Sequence, residues 1–205
     1  MEEASTEIQI LEAARQVFTQ KGFAAARMQE IADRASINKG LLHYYFRSKE
    51  KLFLAVFEEA FQRVTHRINE IFEADLPLFE KIEAFVHNYL DTIIENPYLP
   101  GFVVSELNRN PTQFLHTLFA KRQKPNPTKL MLQIQQEVER GRIRPIHPVN
   151  LVLNILSMCI FPFVARPLFQ SITEMDDATY FQLMKMRKKD ITEFVLNAIR
   201  LPETN

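Results

Sequence analysis

Met28-Gln29-Glu30-Ile31-Ala32-Asp33-Arg34-Ala35-Ser36-Ile37-Asn38-Lys39-Gly40-Leu41-Leu42-His43-Tyr44-Tyr45-Phe46 decides the fold. Met28, Ile31 and Ala32 share one face at helical spacing, which predicts a short helix over about 28–35. Ala35-Ser36-Ile37-Asn38 then makes a tight connection, and Asn38 is a good N-cap for a further helix over roughly 39–45. Two short helices joined this closely pack at a steep angle only if their inner positions are small or apolar, and Ala32, Ala35, Ile37 and Leu42 meet that condition. The outer face of the second helix then carries Asn38, Lys39, Leu41, His43, Tyr44 and Tyr45. Tyr44, Tyr45 and Phe46 are consecutive and cannot all point inward, so Phe46 is the expected buried member.

That outer face suits the edge of a DNA groove. Lys39 can reach a phosphate or a guanine edge, hydroxyls and an imidazole can hydrogen-bond bases or phosphates, and Leu41 can lie against a thymine methyl. Lys49 and the helix start at Ser48 would meet the backbone, since a helix N-terminus is itself a phosphate site. The alternative is a structural three-helix bundle with a wet aromatic helix. Charge weighs against it. Residues 13–51 hold eight Lys/Arg (Arg15, Lys21, Arg27, Arg34, Lys39, Arg47, Lys49, Lys51) against three acids (Glu30, Asp33, Glu50). The whole chain balances at zero, with 25 of each sign, so the remainder carries 17 bases against 22 acids. A basic head on an acidic body is where a polyanion would bind.

Working outward, the chain reads as helices throughout. Thr6-Glu7-Ile8-Gln9 matches a capping box, followed by Ile10, Leu11, Ala14, Val17 and Phe18 at helical spacing and by Gly22 just past the expected C-terminus. Ser48 is the next N-cap, before a long apolar stripe from Leu52 to Phe72. Asn96-Pro97, Asn110-Pro111 and Asn126-Pro127 each set a capping Asn before a Pro, His147-Pro148 does something similar, and each predicts a helix start. Pro100 predicts a broken or bent helix after Pro97, and Gly141 a helix end. Two last helices are expected over about 149–166 and 177–200. The only four Gly and the absence of strand alternation complete an all-α reading.

The run Ile31 to Leu52 resembles the N-terminal domain of the TetR/AcrR family of bacterial repressors, as do Ile10-Leu11-Glu12-Ala13-Ala14 and Phe18 with Lys21-Gly22-Phe23 upstream. Some dozen positions agree in type and spacing over about residues 6–57. The resemblance implies a three-helix helix-turn-helix head over residues 1–50 and a helical effector-binding and dimerisation domain over 51–205. It implies a homodimer that reads a palindromic operator in double-stranded DNA through the major groove. A small effector bound by the larger domain would release it. Lys39, Leu41, His43, Tyr44 and Tyr45 fall where the family contacts DNA, and Lys49 falls on its phosphate-contacting lysine. Three positions depart from the pattern: Arg27 stands where a capping Ser or Thr is usual, Leu41 where Thr is frequent, and His43 where Tyr is usual. Arg27 can still bind phosphate but cannot cap, and the other two bear on which sequence is read.

In the larger domain, Phe85, Tyr89, Phe102, Phe114 and Met131 are the candidate lining for an apolar or aromatic effector, against the plainer reading that they are core. Leu151, Ile155, Met158, Met184, Ile191 and Val195 lie on the last two helices, which are apolar over more than one face. The family uses its last two helices for a four-helix dimer interface, so charging Ile191 or Val195 is expected to give a monomer. No enzyme is expected: the five His are far apart, and there is no Gly-x-Ser-x-Gly and no Walker loop. No cofactor or metal is expected either. Cys159 lies in an apolar run and reads as a buried small hydrophobe. The N-terminus shows no signal-peptide pattern, and Leu151 to Ala165 is shorter than a membrane span, which points to a cytoplasmic protein with no membrane partner. The function expected is a ligand-responsive transcriptional regulator, a repressor on the family pattern, with a DNA-binding protein lacking any effector as the alternative.

Overall fold

The computed structural model describes residues 2–119 and 123–202, and among these it contains eleven helices and no strand. The chain divides into two compact units, one of Met1–Arg63 with Glu95–Ala120 and one of Val64–Ile94 with Lys121–Asn205. The head expected over 1–50 falls within the first unit, which also takes in the start of the fourth helix and a later helical pair.

The first unit holds α1 (Glu2–Ala25), α2 (Met28–Arg34), α3 (Lys39–Tyr45), the N-terminal part of α4 (Lys49–Glu73), α6 (Leu99–Arg109) and α7 (Pro111–Phe119). The helix begins before Thr6, so Thr6 lies inside α1 rather than at its N-cap. Regular geometry breaks at Gly22, where φ 72 and ψ 171 fall in a region that only glycine populates at little cost. Ile10, Ala14, Val17 and Phe18 of α1 meet Ile31, Ala32 and Leu42, and Leu52, Phe53 and Phe57 of α4 close the core. Phe53 sits at its centre, edge-on to Phe18 (4.8 Å), Phe23 (4.9 Å) and Phe102 (4.6 Å), a geometry that aromatic quadrupoles favour. Of the Asn-Pro signals, Asn110 behaves as expected, its side chain accepting from Gln113 N at 3.2 Å as α7 opens. At Asn96 the helix starts later, at Leu99, because a turn closed by Leu99 N to Asn96 O comes first.

The second unit holds the rest of α4, α5 (Leu78–Glu95), α8 (Thr128–Glu139), α9 (Pro148–Val164), α10 (Arg166–Thr173) and α11 (Asp177–Ile199). Its core gathers Ile82, Val86, Leu90, Leu130, Ile134, Ile155, Cys159, Tyr180 and Ile199. Gly141 ends α8 at φ 64, with Gly141 N bonded to Val138 O and Arg142 N to Glu137 O, the paired bonds of a Schellman cap. α8 opens at Thr128, two residues past Asn126, whose side chain accepts from Thr128 N at 3.3 Å. Lys81 is only 1% exposed; its ammonium donates to Phe72 O at 3.1 Å near the end of α4, and burial pushes its pKa down.

The sequence predicts one helix over about 149–166. Instead α9 stops at Val164, and a separate helix, α10, follows at a bend of 66°. Pro162 near the end of α9 and Pro167 at the start of α10 account for the break, since neither can donate to a continuous ladder. Asp176 then caps α11 by accepting from Thr179 N at 2.8 Å, a bond that holds its carboxyl below the usual range. No single helix among the described residues is long and apolar enough to cross a membrane.

Cys159 is fully buried, and burial pushes its thiol up to about 12. The thiolate is the reactive form, so native protein at neutral pH is expected to resist iodoacetamide while urea-unfolded protein is alkylated. Intact-mass analysis checks this, and rapid single alkylation of the native chain would contradict the burial.

Candidate nucleic-acid interface

The site rests on two helices of seven residues each. α2 opens after Arg27, whose backbone is extended and whose side chain makes no capping bond, so the guanidinium stays exposed. Ile31 and Ala32 turn inward from α2 and Leu42 from α3, and all three are completely buried. Ser36 bridges the helices in the left-handed region, at φ 56. Asn38 then caps α3, its side chain accepting from Leu41 N at 2.8 Å. A Cβ on Gly40 would stand 3.2 Å from that capping oxygen, so a side chain here would crowd the cap.

With Leu42 and Phe46 anchored inward, the opposite face of α3 is free. Asn38, Lys39, Leu41, His43 and Tyr44 are exposed, Tyr44 at 73%. Tyr45 is half-buried against the head core and stands edge-on to Tyr44, 5.6 Å between ring centres. Hydrogen-bonding groups, one cation and one apolar contact thus stand together on one helix face, the mixture that base edges need.

Lys49 does something the sequence did not show. Its ammonium donates to Ala24 O (3.3 Å) and Ala26 O (3.1 Å) and lies 4.6 Å from the centre of the Phe23 ring. It therefore ties the start of α4 to the α1–α2 link. That bond brings Arg27, next to Ala26, to the same end of the head as Arg47 and Ser48. Ser48 caps α4 by accepting from Lys51 N at 3.2 Å. Two head cations are neutralised locally, Arg15 by Glu12 and Lys21 by Glu30. Among the described residues Arg27, Lys39, Arg47 and Lys51 are exposed and pair with no acid. The positive excess of the sequence is therefore concentrated at the ends of α2, α3 and α4.

The family described as "Bacterial regulatory proteins, tetR family" matches residues 10–56, which span α1 to the start of α4. The HTH-type transcriptional repressor NicS of Pseudomonas putida is 25% identical over 196 residues, covering 91% of this chain and 86% of its own length. Residues 10–56 are thus similar to the TetR-family N-terminal domain. Another relative, the uncharacterized HTH-type transcriptional regulator YhgD of Bacillus subtilis, is 28% identical over 154 residues, covering 74% of this chain and 78% of its own. A TetR/AcrR-family regulator from Thermobifida fusca has the same fold, with a TM-score of 0.64 over 95% of this chain and 98% of its own at 20% identity. With that head and these relatives, the chain is a DNA-binding transcriptional regulator, not an enzyme.

The other candidate residues are distributed as follows. Phe102 and Phe114 belong to the aromatic core of the first unit, with Phe57 5.1 Å and 5.9 Å away. Phe85, Tyr89 and Met131 belong to the second unit, Phe85 in its core and the other two packed against it. The five do not form one cluster. Of the residues expected at a dimer interface, Leu151, Ile155, Met184, Ile191 and Val195 are buried within the protomer. Leu151 and Val195, with Met158, also form part of the wall of an apolar groove of about 350 Å³ between α9 and α11. The side chains left outside are Leu153, Phe161, Met186 and Phe194, all more than half exposed. Helices apolar on several faces do not reveal from periodicity which stripe packs inward. Asn154 and Ser157, which line the same groove, were the available signal for an outer face.

Proposed function

We propose that this regulator is a cytoplasmic repressor of the TetR family that acts as a homodimer on a palindromic operator and is released by a small apolar or aromatic effector. The observation that carries the reading is the exposed face of α3, held out by the buried Leu42 and Phe46. Asn38, Lys39, Leu41, His43, Tyr44 and Tyr45 are assigned to the groove, and Arg27 and Lys49 to the phosphates. The description of NicS as a repressor supports the sign of regulation. Tyr89, half-buried beside Phe85 and packed with Met131 on the core of the second unit, is the proposed centre of effector contact. The outer faces of α9 and α11, with Leu153 and Phe194, are the proposed dimer surface.

The groove assignment makes a division of labour testable. Changes at Leu41 or His43 are expected to alter which operator variant is preferred. Lys49→Ala is expected to weaken every operator alike and, because it unties α4 from Ala24 and Ala26, to lower the melting temperature too. Binding isotherms on a panel of operator variants separate these outcomes. Equal losses on every variant for all three would contradict the assignment.

The effector reading is tested by thermal shift on a library of apolar and aromatic compounds, with each hit then added to the protein–DNA complex. A ligand at 100 times its Kd stabilises the folded state by about 2.7 kcal/mol. At least one hit is expected to weaken operator binding tenfold or more. Hits that leave DNA affinity unchanged would favour a regulator without an effector.

A further inference from the structure

The second unit contains a small pocket between α9, α10 and α11, separate from the residues assigned above to DNA or to the effector. It holds about 160 Å³ and is walled by Pro162, Phe169, Met175, Leu183 and Met184, with Thr173, Tyr180 and Arg187 as its polar members. An apolar cavity of roughly 150 Å³ can hold a benzene ring.

The polar members differ in whether their hydrogen bonds are already made. The Tyr180 hydroxyl donates to Pro162 O at 2.6 Å, and the Thr173 hydroxyl donates to Phe169 O at 2.6 Å. Arg187 alone is incomplete. One of its terminal nitrogens donates to Met158 O at 3.1 Å, but Nε is buried and has no partner. Nor does Arg187 pair with any acid among the described residues. Its neighbour Arg166, by contrast, is neutralised by Asp177 and lies over the rings of Tyr180 and Phe181. A half-buried guanidinium with an idle buried donor and no counter-charge is unfavourable in isolation. A carboxylate meets both needs, because it accepts side-on from Nε and an adjacent terminal nitrogen.

We infer that this pocket binds a small apolar monocarboxylic acid, its ring or short chain against Phe169, Met175 and Leu183 and its carboxylate on Arg187. A second copy of the chain is a poorer source of the carboxylate. α9 and α10, which wall the pocket, contain no acidic residue, and on α11 Asp177 is engaged by Arg166 and Glu193 by Lys189, which leaves exposed Asp190 as the carboxylate a second copy could offer.

Benzoate is the probe, with benzyl alcohol as its uncharged counterpart, titrated calorimetrically into the full-length protein. Benzoate is expected to bind at least tenfold more tightly than benzyl alcohol and to raise the melting temperature. Arg187→Met is expected to weaken benzoate at least tenfold, with Arg187→Lys retaining part of the affinity. Thr173→Phe, at an exposed position on the pocket rim, is expected to block benzoate while leaving Arg187 intact. Benzoate that fails to bind, binds no better than benzyl alcohol, or binds equally well to Arg187→Met or Thr173→Phe would overturn the site. So would an Arg187→Met protein that loses self-association while the wild type ignores benzoate, since the guanidinium would then belong to a contact between copies. If Arg187→Met does not fold, the acid–alcohol comparison and the rim variant decide the matter.

Discussion

Leu42→Ala is expected to destabilise the protein by about 2–5 kcal/mol and to abolish operator binding. Leu42 is completely buried, where it meets Ile31 and Ala32 of α2 and the α1–α4 core. Removing its isobutyl group forfeits the transfer energy of burial and leaves a cavity that two seven-residue helices cannot easily collapse around. The connection is too short, and Ser36 too constrained at φ 56, to let α3 re-seat independently. A helix that no longer holds its angle cannot present a base-reading face. The neighbouring Leu41→Ala supplies the control, because Leu41 is 36% exposed on the outer face. It is expected to leave the denaturation midpoint within about 0.5 kcal/mol of wild type while changing operator preference. Urea denaturation and DNA binding on both variants check the pair. Comparable stability losses at 41 and 42 would mean that the two faces of α3 have been assigned wrongly.

The second large effect separates the core of the second unit from its outer surface. Phe194→Glu, at a position 67% exposed on α11, is expected to halve the molar mass in light scattering while the circular dichroism of the helices is preserved. Ile191→Glu, one turn earlier and 2% exposed, is expected to unfold the second unit, because it sets an unpaired carboxylate in an apolar core. The sequence reading expected Ile191 and Val195 to mark the dimer surface, and their burial moves the test to Phe194. A Phe194→Glu protein that remains dimeric would remove α11 from the proposed interface.

Much of the head was legible because local rules act alone there. Asn38 caps α3, Gly22 breaks α1, and Leu42 and Phe46 point inward, all from spacing and the short-range chemistry of caps and turns. The departure at Arg27 also reads through, since no side-chain bond caps α2. The tie from Lys49 to Ala24 and Ala26 was not legible: it joins atoms 23 and 25 residues apart, and sequence spacing carries no record of such a bond. Thr6 misled for a related reason. A capping pattern marks a permitted start, and helix propensity upstream can override it, as it does in α1.

Beyond α4 the pattern loses resolution. α9 is apolar on nearly every face, so periodicity could not say that Ile155 faces the core while Leu153 faces out. The break after Val164 and the separate α10 were hidden by the same apolar continuity. The five aromatic and Met candidates were grouped by residue type, yet Phe102 and Phe114 pack with Phe57 in the first unit and Phe85 packs with Phe72 in the second. Arg187 gave no sequence signal, because an unpartnered Nε depends on what fails to surround it.

On the proposed function, the outer face of α3 reads base edges in duplex DNA. Selection from a pool of random duplexes, with full-length protein at low salt and counter-selection as salt is raised, tests it most directly. Enrichment of an inverted repeat whose half-sites tolerate substitution poorly is expected, with a shift in the enriched half-site when His43 or Leu41 is replaced. Failure to enrich any duplex at low salt, or enrichment of the same sequence by the His43 and Leu41 variants, would contradict it.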